Sequence, residues 1–329
     1  MDLSVVVPTS NRAASLDALL RDLTGQRGDA RFEVIVVDNG STDDTAQVAR
    51  RHAEGDRRVG YIVEPRRGAS CARNAGVAAA RAPILAFIDD DVRPREDWVA
   101  SILAAFARHP EVDCIGGRVE ARWPCPPPRW LTRAHWPPLA LQIDRGGSRH
   151  IDREHASACL ITANFACRAE VFRDVGGFAP DFLRDEDREF NLRMWRAGKR
   201  GLYVDSVVAF ADVQRERLEK RYHRTWYHVT GASHARLQYR EVIDRAGRLD
   251  DAGAISGRRW LGVPYFLYRE FLQNAARWIA RLAAGAWSDA FLAECRLRYL
   301  ASYIVTRWRE HLRPAPAGGT CVTASRSCR

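Results

Sequence analysis

No Cys-x-x-Cys pair occurs among the eight cysteines of this 329-residue chain. Scattered thiols of this kind signal neither a zinc site nor a disulfide framework. No run of about 18 apolar residues is present, so the sequence offers no membrane span. The chain enters an apolar strand at once, leaving no room for a secretory leader, and the expectation is a cytoplasmic protein. Excess positive charge is absent from residues 1–213, which carry 30 basic and 31 acidic side chains. The whole excess of +10 falls in residues 214–329, with 21 basic against 10 acidic side chains, and such a segment wants an anionic partner.

What is present begins with three consecutive aspartates, Asp89, Asp90 and Asp91, set directly after the apolar run Ile84-Leu-Ala-Phe-Ile88. The run reads as a buried strand, and the triplet then sits at its carboxyl end, where open α/β sheets place their chemistry. Adjacent carboxylates repel one another unless a cation neutralises them, and an oxygen-only donor set suits Mg²⁺ or Mn²⁺ carrying a substrate diphosphate. A solvated acidic turn is the plain alternative. The surrounding pattern favours the site. A first β-branched strand from Leu3 is closed by Pro8 and followed by Thr9, Ser10, Asn11 and Arg12; Leu16, Leu19, Leu20 and Leu23 then recur at helical spacing. A second strand from Phe32 ends in Asp38, and Ser41 with Asp44 has the form of a capping box for a helix through Val48. Val59 to Val63 reads as a third strand, and an alanine-rich helix from about Ala69 to Ala80 precedes the fourth. This alternation predicts an α/β fold with a mostly parallel, right-handed sheet covered on both faces.

Four segments, Pro8-Thr-Ser-Asn-Arg12, Val37-Asp38-Asn-Gly-Ser-Thr-Asp43, Gly68-Ala-Ser-Cys-Ala-Arg73-Asn74-Ala-Gly76 and Phe87-Ile-Asp-Asp-Asp91, keep a characteristic order and spacing. A second cluster follows in Ala163-Asn-Phe-Ala-Cys-Arg168, Val175-Gly-Gly-Phe178, and Asp185-Glu186-Asp187 leading to Leu192-Arg193 and Arg196-Ala-Gly198. Together they resemble family-2 glycosyltransferases, the inverting nucleotide-sugar enzymes with the GT-A fold, over roughly residues 1–230.

The resemblance implies roles by position. Pro8, Thr9, Asn11, Arg12, Asp38, Gly68, Arg73, Asn74 and Asp90 would contact the nucleotide sugar, and Asp89 and Asp91 would hold Mn²⁺ or Mg²⁺. Asp187 would be the base, with Glu186 in reserve. The chemistry agrees. Asp38 can accept from a base N–H, while Arg73 and Asn74 can donate to a diphosphate. Cation and donors stabilise the leaving nucleoside diphosphate, and a carboxylate at a helix start can take the proton of an attacking hydroxyl. Plainer readings stand beside these: a helix-initiating turn at Asp38, a surface arginine at Arg73, and acids that favour the helix macrodipole at Glu186 and Asp187. Gly176 and Gly177 should end the helix from Glu170, with Phe178 packing behind.

One position departs from the family. Many relatives carry a histidine after the strand near Tyr203 to Val208, whereas here the stretch reads Val208-Ala-Phe210-Ala-Asp212-Val213. Either Asp212 substitutes as an oxygen ligand for a hard cation or the triplet works alone. His223, His228 and His234 do not share one helical face and read as ordinary polar residues. The proline-rich run from Arg122 to Arg133 can be neither helix nor central strand. It reads as an extended loop whose Trp123, Trp130 and Trp136 either stack against an acceptor sugar or anchor the loop. With Asn164 of the second cluster, Trp130 is assigned to the acceptor side.

The expected organisation is a GT-A catalytic domain over 1–230 (1–120 for the nucleotide sugar, 121–230 for the acceptor), a helical region over 231–312, and a disordered tail over 313–329 that holds Cys321 and Cys328. Between Trp260 and Trp308, Phe266, Leu267, Phe271, Trp278, Ile279, Leu282 and Trp287 interleave with Arg269, Arg277 and Arg281. Interfacial helices on an anionic membrane surface have this composition, as do helices that pack on a catalytic domain. The expected function is metal-dependent inverting transfer from a UDP, GDP or TDP sugar to a glycan or lipid-linked hydroxyl, in cell-surface polysaccharide or glycolipid assembly at the inner membrane face. A sugar-1-phosphate nucleotidyltransferase would need a basic glycine-rich loop after the first strand, which Pro8 to Arg12 is not. A basic nucleic-acid-binding protein leaves the aspartates unexplained, so no nucleic acid is expected as partner.

Overall fold

The computed structural model describes residues 1–143, 147–182, 184–250 and 257–313. The expected tail, with Cys321 and Cys328, lies outside the described residues from position 314 onward.

The chain opens with β1 (Leu3–Thr9), α1 (Ala13–Thr24), β2 (Phe32–Asp38), α2 (Thr45–Gly55), β3 (Val59–Val63), α3 (Ala69–Ala79) and β4 (Ile84–Phe87). It continues through β5 (Val92–Pro94), α4 (Trp98–Arg108), β6 (Cys114–Arg122), β7 (Arg149–Ile151), β8 (Phe165–Arg168), α5 (Glu170–Val175), α6 (Glu186–Arg196) and β9 (Gly201–Asp212). After α7 (Lys220–Arg236) and the short α8 (Tyr239–Val242), a hairpin of β10 (Arg259–Trp260) and β11 (Val263–Pro264) leads into α9 (Tyr265–Ala283) and α10 (Trp287–Leu312).

The main sheet runs β3-β2-β1-β4-β8-β6-β9-β5, with β7 added on β9. Strands β3, β2, β1 and β4 are parallel, as the alternating sequence requires. Beyond them the sheet is mixed: β8 lies antiparallel between β4 and β6, and β5 and β7 run antiparallel to β9. Continuous apolar strands are buried because helices cover both faces. Leu16, Leu19, Leu20 and Leu23 of α1 pack with Val5, Val7, Trp98 and Ile102 on one side. On the other, Val6, Phe87 and Phe165 meet Phe178, Phe190 and Trp195. Each such fully buried leucine or phenylalanine contributes roughly 1.5–3 kcal/mol, so the leucine stripe alone fixes which face of α1 meets the sheet.

Two local readings are corrected. The Ser41–Asp44 capping box does not form, and α2 begins at Thr45. Asp43 instead accepts from the Thr45 N–H at 3.0 Å, while Ser41 Oγ accepts from the Asn11 N–H. The hydroxyl that would have capped the helix is thus used to join two loops. The expected boundary at residue 230 falls inside α7, which runs unbroken from Lys220 to Arg236. Its packing explains why: a Cβ added at Gly231 would stand 2.3 Å from the carbonyl oxygen of Tyr299, so α10 crosses α7 at backbone distance. Further along, the buried carboxylate of Glu241 accepts from Tyr303 Oη and Arg307 Nε, each at 3.0 Å, and also pairs with Arg259. Gly176, at φ 78°, closes α5 as expected.

The interleaved C-terminal pattern has a packed face and an open one. Leu267, Phe266 and Phe271 pack inward with Tyr303, Ile304 and Trp308. Leu272, Ile279, Leu282 and Trp287 face outward. Among the described residues no helix is long and apolar enough to cross a membrane.

Candidate active site

Strand β4 carries the aspartate triplet to its carboxyl end. Asp89 and Asp91 line a cleft of about 720 Å³ together with Arg73 from α3 and Glu186 and Asp187 from the first turn of α6. Residues far apart in sequence thus meet because β1, β4 and the start of α6 end on the same edge of the sheet, the edge where open sheets form their crevices. Asp90 turns inward, accepting from Thr9 Oγ1 at 2.8 Å. Burial pushes Asp90 up to about 7 and also raises Asp91, where the charge of Arg217 opposes the shift. Crowded carboxylates of this kind are stabilised by added positive charge.

That charge now comes from arginines. Arg73 is only 4% exposed in its side chain and forks between Asp89 at 2.9 Å and Glu186 at 2.6 Å. Burial alone would lower its pKa, but the two carboxylates hold it above the ordinary arginine value. Asp91 accepts from Arg217 at 2.8 Å and Gln214 at 3.1 Å, with Arg12 at 3.7 Å. Asp187 accepts from the Arg188 N–H at 2.7 Å, and burial, then the charges of Glu186 and Asp185, raise it well above the usual carboxylate range.

Several of the expected contacts also hold the loops around the site together. Asp38 spends one oxygen on the Ser41 N–H and the other on Tyr61 Oη. Asn11, at φ 54°, binds the Thr42 N–H through its side chain. Pro8 lies inside β1, paired with Val37 of β2. Gly68, at φ 119°, starts α3 and donates its N–H to Asn39 Oδ1. Asn74 clamps the backbone across the site: its amide donates to the Phe178 carbonyl and accepts from the Phe178 N–H, both at 2.8 Å.

The acceptor and metal assignments change further. Asn164 is buried, with Trp98 Nε1 donating to its oxygen and its nitrogen donating to the carbonyls of Arg118 and Val207. An amide so committed braces the sheet and cannot greet an acceptor. Trp130 meets His223 and Phe291 edge-on at 5.0 and 4.9 Å, so it anchors the proline-rich loop to α7 and α10, while Trp136 reaches the cleft. Asp212 hydrogen-bonds through its backbone to Asp91, but its carboxylate turns to Arg122 at 3.4 Å and Arg93 at 4.0 Å. The structure therefore does not bring it to the triplet.

Other residues take these places. Gln214 and Arg217 follow Asp212 by a few positions and hold Asp91. His223, read as an ordinary polar residue, is buried, and burial lowers it to about 4; its Nε2 lies 3.0 Å from the Arg217 carbonyl. Tyr222, Trp226, Thr230 and His234 line the cleft from α7. They recur every fourth residue, which places them on one helical face.

The Glycosyl transferase family 2 profile matches residues 4–176. The Pre-mycofactocin glycosyltransferase of Mycobacterium tuberculosis is 30% identical over 260 residues, covering 77% of this chain and 51% of its own length. The Validoxylamine A glucosyltransferase of Streptomyces hygroscopicus subsp. jinggangensis is 45% identical over 222 residues, covering 60% of this chain and 52% of its own length. The chain thus spans about half the length of these curated relatives. Among solved structures, the mannosyltransferase PcManGT from Pyrobaculum calidifontis, in complex with GDP-Man and Mn²⁺, aligns with a TM-score of 0.60 at 19% identity. That alignment covers 94% of this chain and 87% of the other, a likeness of fold.

Proposed function

Since this chain belongs to glycosyl transferase family 2, we propose that it moves a sugar from a nucleoside diphosphate to a hydroxyl acceptor, with inversion and with help from a divalent cation. The observation that carries this reading is the single cleft shared by Asp89, Asp91, Arg73, Glu186 and Asp187. Donor-side carboxylates and a candidate base meet there across the sheet edge.

The side chains fit a cation that arrives with its substrate. Among the described residues no group of three His, Cys, Asp or Glu side chains is placed to hold a metal alone. Two carboxylates completed by phosphate oxygens and water are the usual provision for Mg²⁺, and the hard oxygen set suits Mn²⁺ equally. When bound, the cation supplies charge neutralisation to the leaving diphosphate. Arg12 and Arg217 now pair with Asp91, and if that carboxylate held the cation they would be released to donate to the phosphates. Asp187 is the base that the resemblance names, and Glu186 in reserve is held by Arg73. The raised pKa of Asp187 places proton acceptance nearer neutrality than an ordinary aspartate would.

The reading is tested by thermal shift against UDP-glucose, UDP-GlcNAc, GDP-mannose and TDP-glucose, each with Mn²⁺, Mg²⁺ or EDTA. A ligand of the native state raises its stability by about 2.7 kcal/mol at roughly 100 times its Kd. One nucleotide class should raise the Tm with cation and not with EDTA. Absence of a shift with every donor and either cation would overturn the proposal.

An acceptor in cell-surface polysaccharide or glycolipid assembly is proposed from the resemblance. Its lipid-linked form is supported by the outward face of α9 and the start of α10, where Leu272, Ile279 and Trp287 are exposed beside Arg269, Arg277 and Arg281. Such a face suits an anionic inner-membrane surface, where each basic residue adds roughly 1 kcal/mol and the attraction decays within a Debye length. Cosedimentation with vesicles should rise with anionic lipid and fall with salt, and should weaken in Ile279→Glu. Full-length protein that ignores anionic vesicles at low salt would remove the membrane from this picture.

A further inference from the structure

Three buried polar atoms on the α7 side of the cleft have no hydrogen-bond partner among the described residues: Thr230 Oγ1, His234 Nε2 and Asp185 Oδ2. Thr230 is 2% and His234 7% exposed, and all three residues line the cleft. Buried polar groups are ordinarily satisfied, because an unmade hydrogen bond there carries the full desolvation cost. Unpartnered groups converging on one cavity wall therefore mark a place prepared for something else.

Their arrangement is held firmly. Asp185 sits just before α6 at φ 63°, a left-handed conformation that a non-glycine residue adopts at a cost. Ser233 donates to the carbonyl of Arg184 at 2.8 Å, fastening α7 to this turn. His234 Nδ1 lies 2.9 Å from Tyr299 Oη on α10, and burial keeps that phenol protonated, so its O–H can donate to Nδ1. The ring, held neutral by burial, then carries its proton on Nε2. Nε2 stands 3.7 Å from Asp185 Oδ1, too far for a good direct hydrogen bond.

From this geometry we infer an acceptor subsite on α7 for a polyhydroxylated ring of the sugar or cyclitol class. One ring hydroxyl accepts from His234 Nε2 and donates to Asp185, and a second meets Thr230 Oγ1. A hydroxyl is suited because it donates and accepts at one atom, whereas an anion would face the Asp185 carboxylate. Trp226, one helical turn before Thr230, supplies an aromatic wall. The subsite rests on the transfer reading above, names the acceptor class, and replaces Asn164 and Trp130 as acceptor contacts. His234 and Thr230 act here as binding residues and take no part in the chemistry.

The test is saturation-transfer difference NMR on the full chain with methyl β-glucoside and myo-inositol, run beside UDP with Mn²⁺. Wild type should saturate ring protons of at least one polyol. Asp185→Asn, His234→Gln and Thr230→Val should reduce that signal, Asp185→Asn by about tenfold or more, as befits a lost hydrogen bond to a charged group. UDP saturation should persist in all three. Melting curves report folding, and if His234→Gln unfolds, the volume-conserving Thr230→Val decides. No polyol signal in wild type, or signals undiminished in every folded variant, would overturn the subsite and leave a cradle for ordered water. Polyol signals that behave as expected while UDP with Mn²⁺ gives none would keep the subsite and sink the donor reading instead.

Discussion

Asp187→Asn will lower sugar transfer by about 10²–10⁴ while donor affinity stays nearly constant. The substitution keeps the volume and the acceptor that receives the Arg188 N–H, but removes the lone pair that takes a proton from the attacking hydroxyl. A pH profile provides the independent check. Burial, reinforced by Glu186 and Asp185, raises the Asp187 pKa. The base works ionised, so activity is full above that raised pKa and is lost as pH falls through it. The acid limb of kcat/KM should therefore lie well above the ordinary carboxylate range in wild type and be missing from the residual activity of Asp187→Asn. Survival of turnover within a few-fold, with Glu186→Gln abolishing it, would reassign the base to Glu186. Arg73 argues against that outcome, since its guanidinium already occupies Glu186 at 2.6 Å.

What could be read from the residues alone follows from the range of the interactions involved. The strands of the parallel half and the α1 leucines are local patterns of period two and 3.6, and they appear at their expected places. The aspartate triplet was visible because a strand end is a local event too. Roles that depend on long-range pairing were not. Nothing near Asn74 announces that its amide will clamp Phe178, 104 positions away, nor does Asn164 declare its partner Trp98. Whether Asp212 joins the triplet or leaves it to work alone was open from its position after a strand, and β9 directs its carboxylate to Arg93 and Arg122. The α7 stripe had a legible signal in the fourfold spacing of Tyr222, Trp226, Thr230 and His234. Counting only the histidines at 223, 228 and 234 conceals it, because His228 lies on another face.

Asp89→Ala and Asp91→Asn should each weaken cation-dependent nucleotide binding by about two orders of magnitude or more, beyond the 10–100-fold typical of outer-shell changes at metal sites. Affinity measured with EDTA should change far less, since it never used the carboxylate–cation contact. The two positions differ in what the apo protein feels. Asp89 is one of two carboxylates on Arg73, and Glu186 still pairs with that arginine after truncation, so the fold should tolerate Asp89→Ala. Asp91, by contrast, is buried and receives Arg217 and Gln214. Asp91→Ala would strand those donors and cost about 1–3 kcal/mol, which is why asparagine, retaining an acceptor, is the cleaner probe. Melting curves taken beside the titrations separate the two effects: a lowered Tm with intact cation dependence reports lost packing, whereas an unchanged Tm with cation dependence gone reports a lost ligand. Should cation-dependent affinity survive in both Asp89→Ala and Asp91→Asn, the triplet is not the metal site. The arginines now resting on it would then be the groups that neutralise the diphosphate.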